Sequence, residues 1–170
     1  VAPVKNQIKG WMSDKELEWL QARAAEAESV VELGCFMGRT TFALLSGCRG
    51  TVTAVDTFEG VKGHCDNPEV LYATFMKNCG HFPNLRVIKG DSAETAAMFE
   101  SVDMVMVDAQ HVYPLIKKDL EAWLPKVKKL ICGHDFDDGW PGVIQAVDEL
   151  MPNREVYMDL WYWSPNWSQK

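Results

Sequence analysis

The run Val30-Val31-Glu32-Leu33-Gly34-Cys35-Phe36-Met37-Gly38-Arg39-Thr40-Thr41 places two glycines where an apolar stretch gives way to a segment of helical period. Glycine allows a tight turn and close approach of a ligand to bare backbone, and the first turn of a helix presents N–H groups with no partner of its own. Nucleotide cofactors settle at such turns in α/β proteins. The run is not the GxGxxG dinucleotide fingerprint, because Phe36 stands at the middle glycine position. Asp56 closes the next apolar stretch, 22 residues after Gly34. An acidic residue at that distance reaches ribose hydroxyls, so the two features together specify an adenosine-like ligand.

A second constellation, Asp108, His111, His134 and Asp135, falls at or just after the ends of two further apolar stretches. Imidazole titrates near neutral pH, which makes His111 a candidate for removing a proton from a bound hydroxyl; the alternative is a histidine that hydrogen-bonds within its loop. Asp91-Ser92 reads as a helix N-cap as well as a ligand contact, and Asp137 and Asp138 as loop residues. His64-Cys65 and Cys79-Gly80-His81 offer four zinc-type ligands, but their spacing does not match the usual finger patterns.

Positioning these residues takes alternating strands and helices. Strands are expected at Ser29 to Leu33, Thr51 to Val55, Leu85 to Lys89, Val102 to Val107 and Leu130 to Gly133. Helices are expected at Arg39 to Leu45, Pro68 to Asn78, Ala93 to Phe99, Pro114 to Leu124 and Gly142 to Leu150. A further helix opens at Ser13, whose pairing with Glu16 is a capping box, and runs to about Ala27. The alternation predicts an α/β fold, a mostly parallel sheet with helices on both faces. The first and fourth strands, nearly continuous in apolar character, belong at its centre. After Pro152 the aromatic residues Tyr157, Trp161, Tyr162, Trp163 and Trp167 suggest one or two closing strands, packed at the sheet edge or offered as a platform for a sugar ring. Trp11 is either a lid residue or part of the core.

Five motifs in order at strand ends give the chain its family likeness: Glu32-Leu33-Gly34 with Gly38-Arg39-Thr40, Val55-Asp56-Thr57-Phe58, Gly90-Asp91-Ser92-Ala93, Val107-Asp108-Ala109-Gln110-His111, and Gly133-His134-Asp135 leading into Pro141-Gly142-Val143. Over nearly its whole length the sequence resembles the class I S-adenosylmethionine-dependent methyltransferases, and more narrowly a small bacterial and phage group related to sugar O-methyltransferases. The resemblance implies a single methyltransferase domain over residues 1–170: a Rossmann-like doubly wound core from residue 28, preceded by a helix and cofactor lid in residues 1–27. It implies methyl transfer from S-adenosyl-L-methionine to a small-molecule oxygen, a sugar or glycoside hydroxyl. Glu32 and Gly34 would line the methionine side, Asp56 the ribose, and Asp91 with Ser92 the adenine. Phe36, Gly38, Arg39, Thr40, Thr57, Phe58, Ala93 and Asp108 would complete the cofactor-binding set. His111 and Asp108 would be catalytic. In metal-dependent members, acidic residues at the places of Asp108 and Asp135 hold a divalent ion that binds the acceptor hydroxyl. Here Asp108, His134 and Asp135 would hold Mg2+ or another divalent cation, His134 standing where the family commonly has Asp.

Composition sets the bounds. The chain has 170 residues, 47% hydrophobic and 24% charged, which suits one globular domain. A net charge of -7 has the wrong sign for a nucleic-acid partner. No membrane-length apolar run occurs, and Val1 to Gly10 lacks the apolar stretch of a signal peptide. Five scattered cysteines without a CxxC pair fit a reducing cytoplasm. Two other functional readings stay open: a non-catalytic S-adenosylmethionine-binding subunit, suggested by how little of the chain is left for acceptor binding, and a nicotinamide-dependent oxidoreductase, which Phe36 disfavours.

Overall fold

A computed structural model describes residues 7–169; the first six residues of the stretch Val1 to Gly10 lie outside the described part. The chain opens with α1 (Asp14–Ala24), then alternates β1 (Ser29–Leu33), α2 (Arg39–Gly47), β2 (Thr51–Asp56), α3 (Pro68–Cys79) and β3 (Leu85–Lys89). A single turn, α4 (Ser92–Thr95), leads to β4 (Val102–Val107), α5 (Tyr113–Trp123), β5 (Val127–Gly133) and α6 (Pro141–Leu150). A hairpin, β6 (Glu155–Tyr157) and β7 (Leu160–Trp163), closes the sheet.

The seven strands lie in the order β3-β2-β1-β4-β5-β7-β6, the first five parallel and β7 antiparallel to both its neighbours. β1 and β4 are central, as their apolar runs require. Side chains alternate between the two faces. Val30, Met104 and Met106 pack with α1, α2 and α3, whereas Val31, Val105 and Val107 pack with α5 and α6. The chain order reverses between β1 and β4, and open α/β sheets bind ligands outside the strand ends at such a switch point.

Register fixes what stands at that point. Val55, Leu33, Val107 and Gly133 form one paired row across β2, β1, β4 and β5. One residue further along each chain come Asp56, Gly34, Asp108 and His134, so four of the sequence motifs emerge side by side. Backbone bonds extend the ladder to this level: Gly34 donates to Val55, Asp108 to Leu33 and His134 to Val107.

Some expected boundaries move. The helix expected over Ala93 to Phe99 is one α-helical turn followed by a 3-10 turn at Ala96–Met98, because Asp91 caps it at Ala93 and Glu94 and the chain must soon re-enter the sheet. α1 ends at Ala24, its backbone turning through Arg23–Ala27. β5 begins at Val127, three residues ahead of the apolar signal, since exposed Lys128 and Lys129 flank a strand start paired to Val102. The closing aromatics do form two strands, giving the sheet its sixth and seventh. No helix among the described residues is long and apolar enough to cross a membrane, and the five cysteines are free thiols.

Gly133 faces Trp161 directly across the β5–β7 ladder, and a Cβ there would lie 2.7 Å from the indole nitrogen of this fully buried side chain. Gly133→Val should therefore cost about 1–3 kcal/mol of stability by overpacking, read as a lower urea midpoint at unchanged slope. An unchanged midpoint would mean that the indole is not seated on β5.

Candidate functional site

A cleft of about 520 Å³ opens above the row of strand ends, within the range of small-molecule and cofactor sites. One half is built on the β1–α2 loop. Gly34, Phe36 and Gly38 all have left-handed backbone, with φ of 83°, 47° and 91°, an arrangement that curls successive N–H groups inward. Phe36 takes this conformation at the place of a middle glycine and is held there by Asp56. The Asp56 carboxylate accepts from the N–H of Cys35 at 2.7 Å, of Phe36 at 3.0 Å and of Phe58 at 2.8 Å. Three charge-assisted bonds of this kind tie the loop to the end of β2.

The cleft brings together most of the residues singled out in the sequence: Gly34, Phe36, Arg39, Thr40, Asp56 and Thr57, then Asp91, Ser92, Asp108, His111, His134 and Asp135. Glu32, Gly38, Phe58 and Ala93 do not line it. Glu32 is fully buried beneath the loop, where burial pushes its carboxyl up to about 8 and the Thr41 hydroxyl donates to it at 2.5 Å. Gly38 faces α3, and a Cβ there would lie 2.6 Å from Cys79 Sγ. The ring of Phe58 is buried against Tyr72 and Phe75. Ala93 is buried in the α4 turn. Two residues that do reach the cleft have structural partners. The Ser92 hydroxyl donates to Asp119 at 2.5 Å, and Arg39 donates to the carbonyls of Met12 at 2.7 Å and Ile8 at 3.2 Å and to Asp14 at 2.9 Å.

Gly34 joins the two halves. A side chain there would enter the backbone of the next strand end, with Ala109 Cα only 2.7 Å from an added Cβ. The reason for glycine is thus contact between protein segments as much as ligand approach.

The other half gathers Asp108, His111 and Asp135, whose ligand atoms all lie within 4.8 Å of one another. His111 Nε2 is 2.6 Å from Asp135 Oδ2 and 3.7 Å from Asp108 Oδ1, and hydrogen bonding to Asp108 and Asp135 raises the imidazole to about 9. Desolvation raises Asp108, while the two imidazoles hold Asp135 well below the usual carboxylate range despite its burial. Asp135 itself has left-handed backbone, φ 59°. Its place at the strand end is thus maintained against a local conformational cost.

His134 belongs to a different set from the one expected. Its Nδ1 lies 3.1 Å from Asp135 and its Nε2 3.5 Å from Glu16, and it is 8% exposed. It backs Asp135, and the histidine that joins the two aspartates is His111. Burial works against the charged ring, but the hydrogen bonds to Asp135 and Glu16 lift it to about 10. Glu16, His134 and Asp159 form the other metal-capable group among the described residues. His64, Cys65, Cys79 and His81 do not converge: Cys79 is buried against Gly38, and His81 packs on Phe42 and Phe82.

Residues 9–12 form a strap along the rim. Trp11 is 57% exposed and packs on Phe36 and His64, and Lys9 donates to the His64 carbonyl at 3.2 Å. The position excludes the core reading of Trp11. Of the aromatic residues after Pro152, none lines the cleft; the tryptophans that do are Trp11 and Trp140, the latter tilted 36° against His111 with ring centroids 4.4 Å apart. Sequence reasoning missed Trp140 and Glu16. The signal for Trp140 was its place just ahead of Pro141-Gly142; a Cβ on Gly142 would lie 2.6 Å from the His111 carbonyl, so this helix start abuts the loop that carries His111.

A family model for a methyltransferase domain matches residues 31–136, the stretch that holds every cleft residue except the strap and Trp140. An uncharacterized protein of Sinorhizobium fredii, y4gI, is 30% identical over 129 residues; these are 70% of this chain and only 14% of that protein. Among solved structures, the O-methyltransferase of Bacillus cereus in complex with SAH superimposes with a TM-score of 0.64 at 14% identity, covering 89% of this chain and 80% of that one. TomG of Streptomyces achromogenes, an O-methyltransferase of tomaymycin synthesis in complex with SAM, gives 0.65 at 15%, covering 89% and 79%. Precorrin 8w decarboxylase of Methanobacterium thermoautotrophicum gives 0.67 at 18%, covering 94% and 95%. These likenesses are of fold, while the match of the family model over most of the chain is of sequence, and by it the chain belongs to the methyltransferase domain family.

Proposed function

We propose that the protein binds S-adenosyl-L-methionine in the glycine-loop half of the cleft and transfers its methyl group to an oxygen of a small molecule, a sugar or glycoside hydroxyl, held in the other half. The observation that carries this reading is the shared cavity, in which Asp56 and Asp91 of the nucleotide-type half face the same space as Asp108, His111 and Asp135. The loop chemistry favours a cofactor without a pyrophosphate, because Asp56 already takes two of the N–H groups that a dinucleotide phosphate would need. That argues against the nicotinamide reading. The acid–base cluster argues against a purely cofactor-binding subunit. All five cysteines being free thiols supports a cytoplasmic protein.

In this mechanism the acceptor oxygen attacks the sulfonium methyl, the carbon–sulfur bond breaks as the carbon–oxygen bond forms, and S-adenosylhomocysteine leaves. The sulfonium is already a good leaving group, so alignment of oxygen, carbon and sulfur is the main contribution of the cleft, worth up to about 7–11 kcal/mol. Residues 9–12, with Trp11 over Phe36, exclude water from the cofactor half. Trp140 offers a face to the acceptor ring beside His111. Asp108, His111 and Asp135 receive the hydroxyl proton. His111 accepts it only after losing the proton that the two carboxylates help it retain.

The donor set also suits a divalent cation. Two carboxylates and one imidazole would hold it, and on binding it would lower the acceptor hydroxyl's pKa and orient that oxygen. The imidazole nitrogen shifts preference from Mg2+ toward Mn2+ or a similar metal.

Calorimetry with S-adenosylmethionine, S-adenosylhomocysteine and NAD tests the cofactor. Both sulfur ligands should bind, NAD should not, and Asp56→Ala should weaken S-adenosylhomocysteine by about ten- to a hundredfold, equivalent to 1.5–3 kcal/mol for a charged acceptor. Binding of NAD alone would sink the proposal.

Acceptor activation is tested by rate against pH over a panel of glycosides, with and without chelator. Because His111 is raised to about 9, the metal-free rate should climb as pH rises toward that value and level off above it. Added Mn2+ should displace the proton, raise the rate at neutral pH and flatten the profile. A chelator-treated enzyme already at full rate at pH 6 would show that His111 is not the base.

A further inference from the structure

Asp135 is held from two sides, its Oδ2 by His111 Nε2 at 2.6 Å and its Oδ1 by His134 Nδ1 at 3.1 Å. The remaining nitrogen of His134 faces Glu16 Oε1 at 3.5 Å, and both residues are buried. Glu16 lies outside the cleft lining, in the first turn of α1. Its other oxygen accepts from the Ser13 N–H at 2.8 Å and the Ser13 hydroxyl at 2.6 Å, and the Asp159 N–H donates to Oε1 at 3.2 Å. A capping box requires only the reach back to the N-cap N–H, and an exposed carboxylate serves it. Here the carboxylate is 3% exposed and lies against an imidazole. A buried charge is tolerated only when it is paired, so removing one partner affects the other.

We propose that Glu16 is a positioning residue for the acceptor-activating cluster, acting through His134 to hold Asp135 against His111. This rests on the reading of Asp108, His111 and Asp135 as the groups that activate the acceptor. The contacts run Ser13, Glu16, His134, Asp135, His111, from the cap of the first helix to the mouth of the cleft. The same helix start follows directly on the strap of residues 9–12, which Arg39 fastens at Met12 and Asp14.

The test uses imidazole 15N–1H correlation spectra of the whole protein at neutral pH, in which only four histidines contribute. Glu16→Gln keeps a side chain able to complete the capping box but removes the charge beside His134. It should shift the His111 signal. Ser13→Ala weakens the cap, leaves Glu16 beside His134, and should leave the His111 signal in place. In a His134→Gln background, Glu16→Gln should produce no further shift at His111, the non-additivity expected of residues acting in series. Glu16→Ala provides a second variant should the glutamine restore the contact. A His111 signal at its wild-type position in both folded Glu16 variants would overturn the proposal, as would a shift that persists undiminished without His134. S-adenosylhomocysteine binding by calorimetry in the same samples separates the two readings. Failure of the wild type to bind it would remove the proposed function, while the His111 signals would still decide the role of Glu16.

Discussion

The contact on which the site depends is the one that the missing side chain of Gly34 permits. The β1–α2 loop rests on the backbone of Asp108 and Ala109 with no room for a Cβ, so the loop that shapes the cofactor half is in van der Waals contact with the segment that carries Asp108 and His111. Any other residue would push the two apart or twist the turn, whose φ of 83° L side chains rarely adopt. Asp56 completes the arrangement from the far side, drawing the N–H groups of Cys35 and Phe36 toward β2. A glycine on one flank and a carboxylate on the other define the turn between them, and Phe36 can occupy a glycine-like conformation because its N–H has that partner.

Charge distribution follows from the same geometry. Five carboxylates and two imidazoles, Glu16, Asp108, Asp135, Asp159 and the more distant Asp56 with His111 and His134, crowd around one end of the sheet in a protein of net charge -7. Such a site favours bound protons and cations. The two imidazoles supply the positive charge, which is why both are raised well above the usual histidine range while Glu16 is lowered to about 2.

Much of this was legible in the sequence because it is written in strand ends. Alternating apolar runs and helical periods give the order of elements, and the continuous character of β1 and β4 puts them in the middle. The Ser13–Glu16 spacing announces the capping box, but nothing in it says that the same carboxylate meets His134, more than a hundred residues away in sequence; that contact exists only once α1 has packed across the sheet. His111 stands with the two aspartates where His134 was expected for a similar reason. The family likeness implied a metal shared by Asp108, His134 and Asp135, yet consecutive residues at a strand end point in different directions, and the ring that converges on Asp135 from the cleft side comes from another loop.

The contrast between Glu32 and Asp56 shows how register decides function for residues of one chemical kind. Both are acidic, both lie at or near the end of an apolar run, and the family likeness implies both as cofactor ligands. Glu32, however, pairs with Ala54 and Met106, one row below the last paired row of β1, and its side chain points to the face covered by α1 and α2. Asp56 stands one row above the level of Leu33. Two rows at about 3.3 Å per residue separate the carboxyls by roughly 6–7 Å along the strands, enough to put one in the core and the other at the cleft. The consequence is chemical as well as spatial. Burial pushes the Glu32 carboxyl up to about 8, with the Thr41 hydroxyl donating to it in the core, whereas Asp56 accepts from three backbone N–H groups at the lining of the cleft.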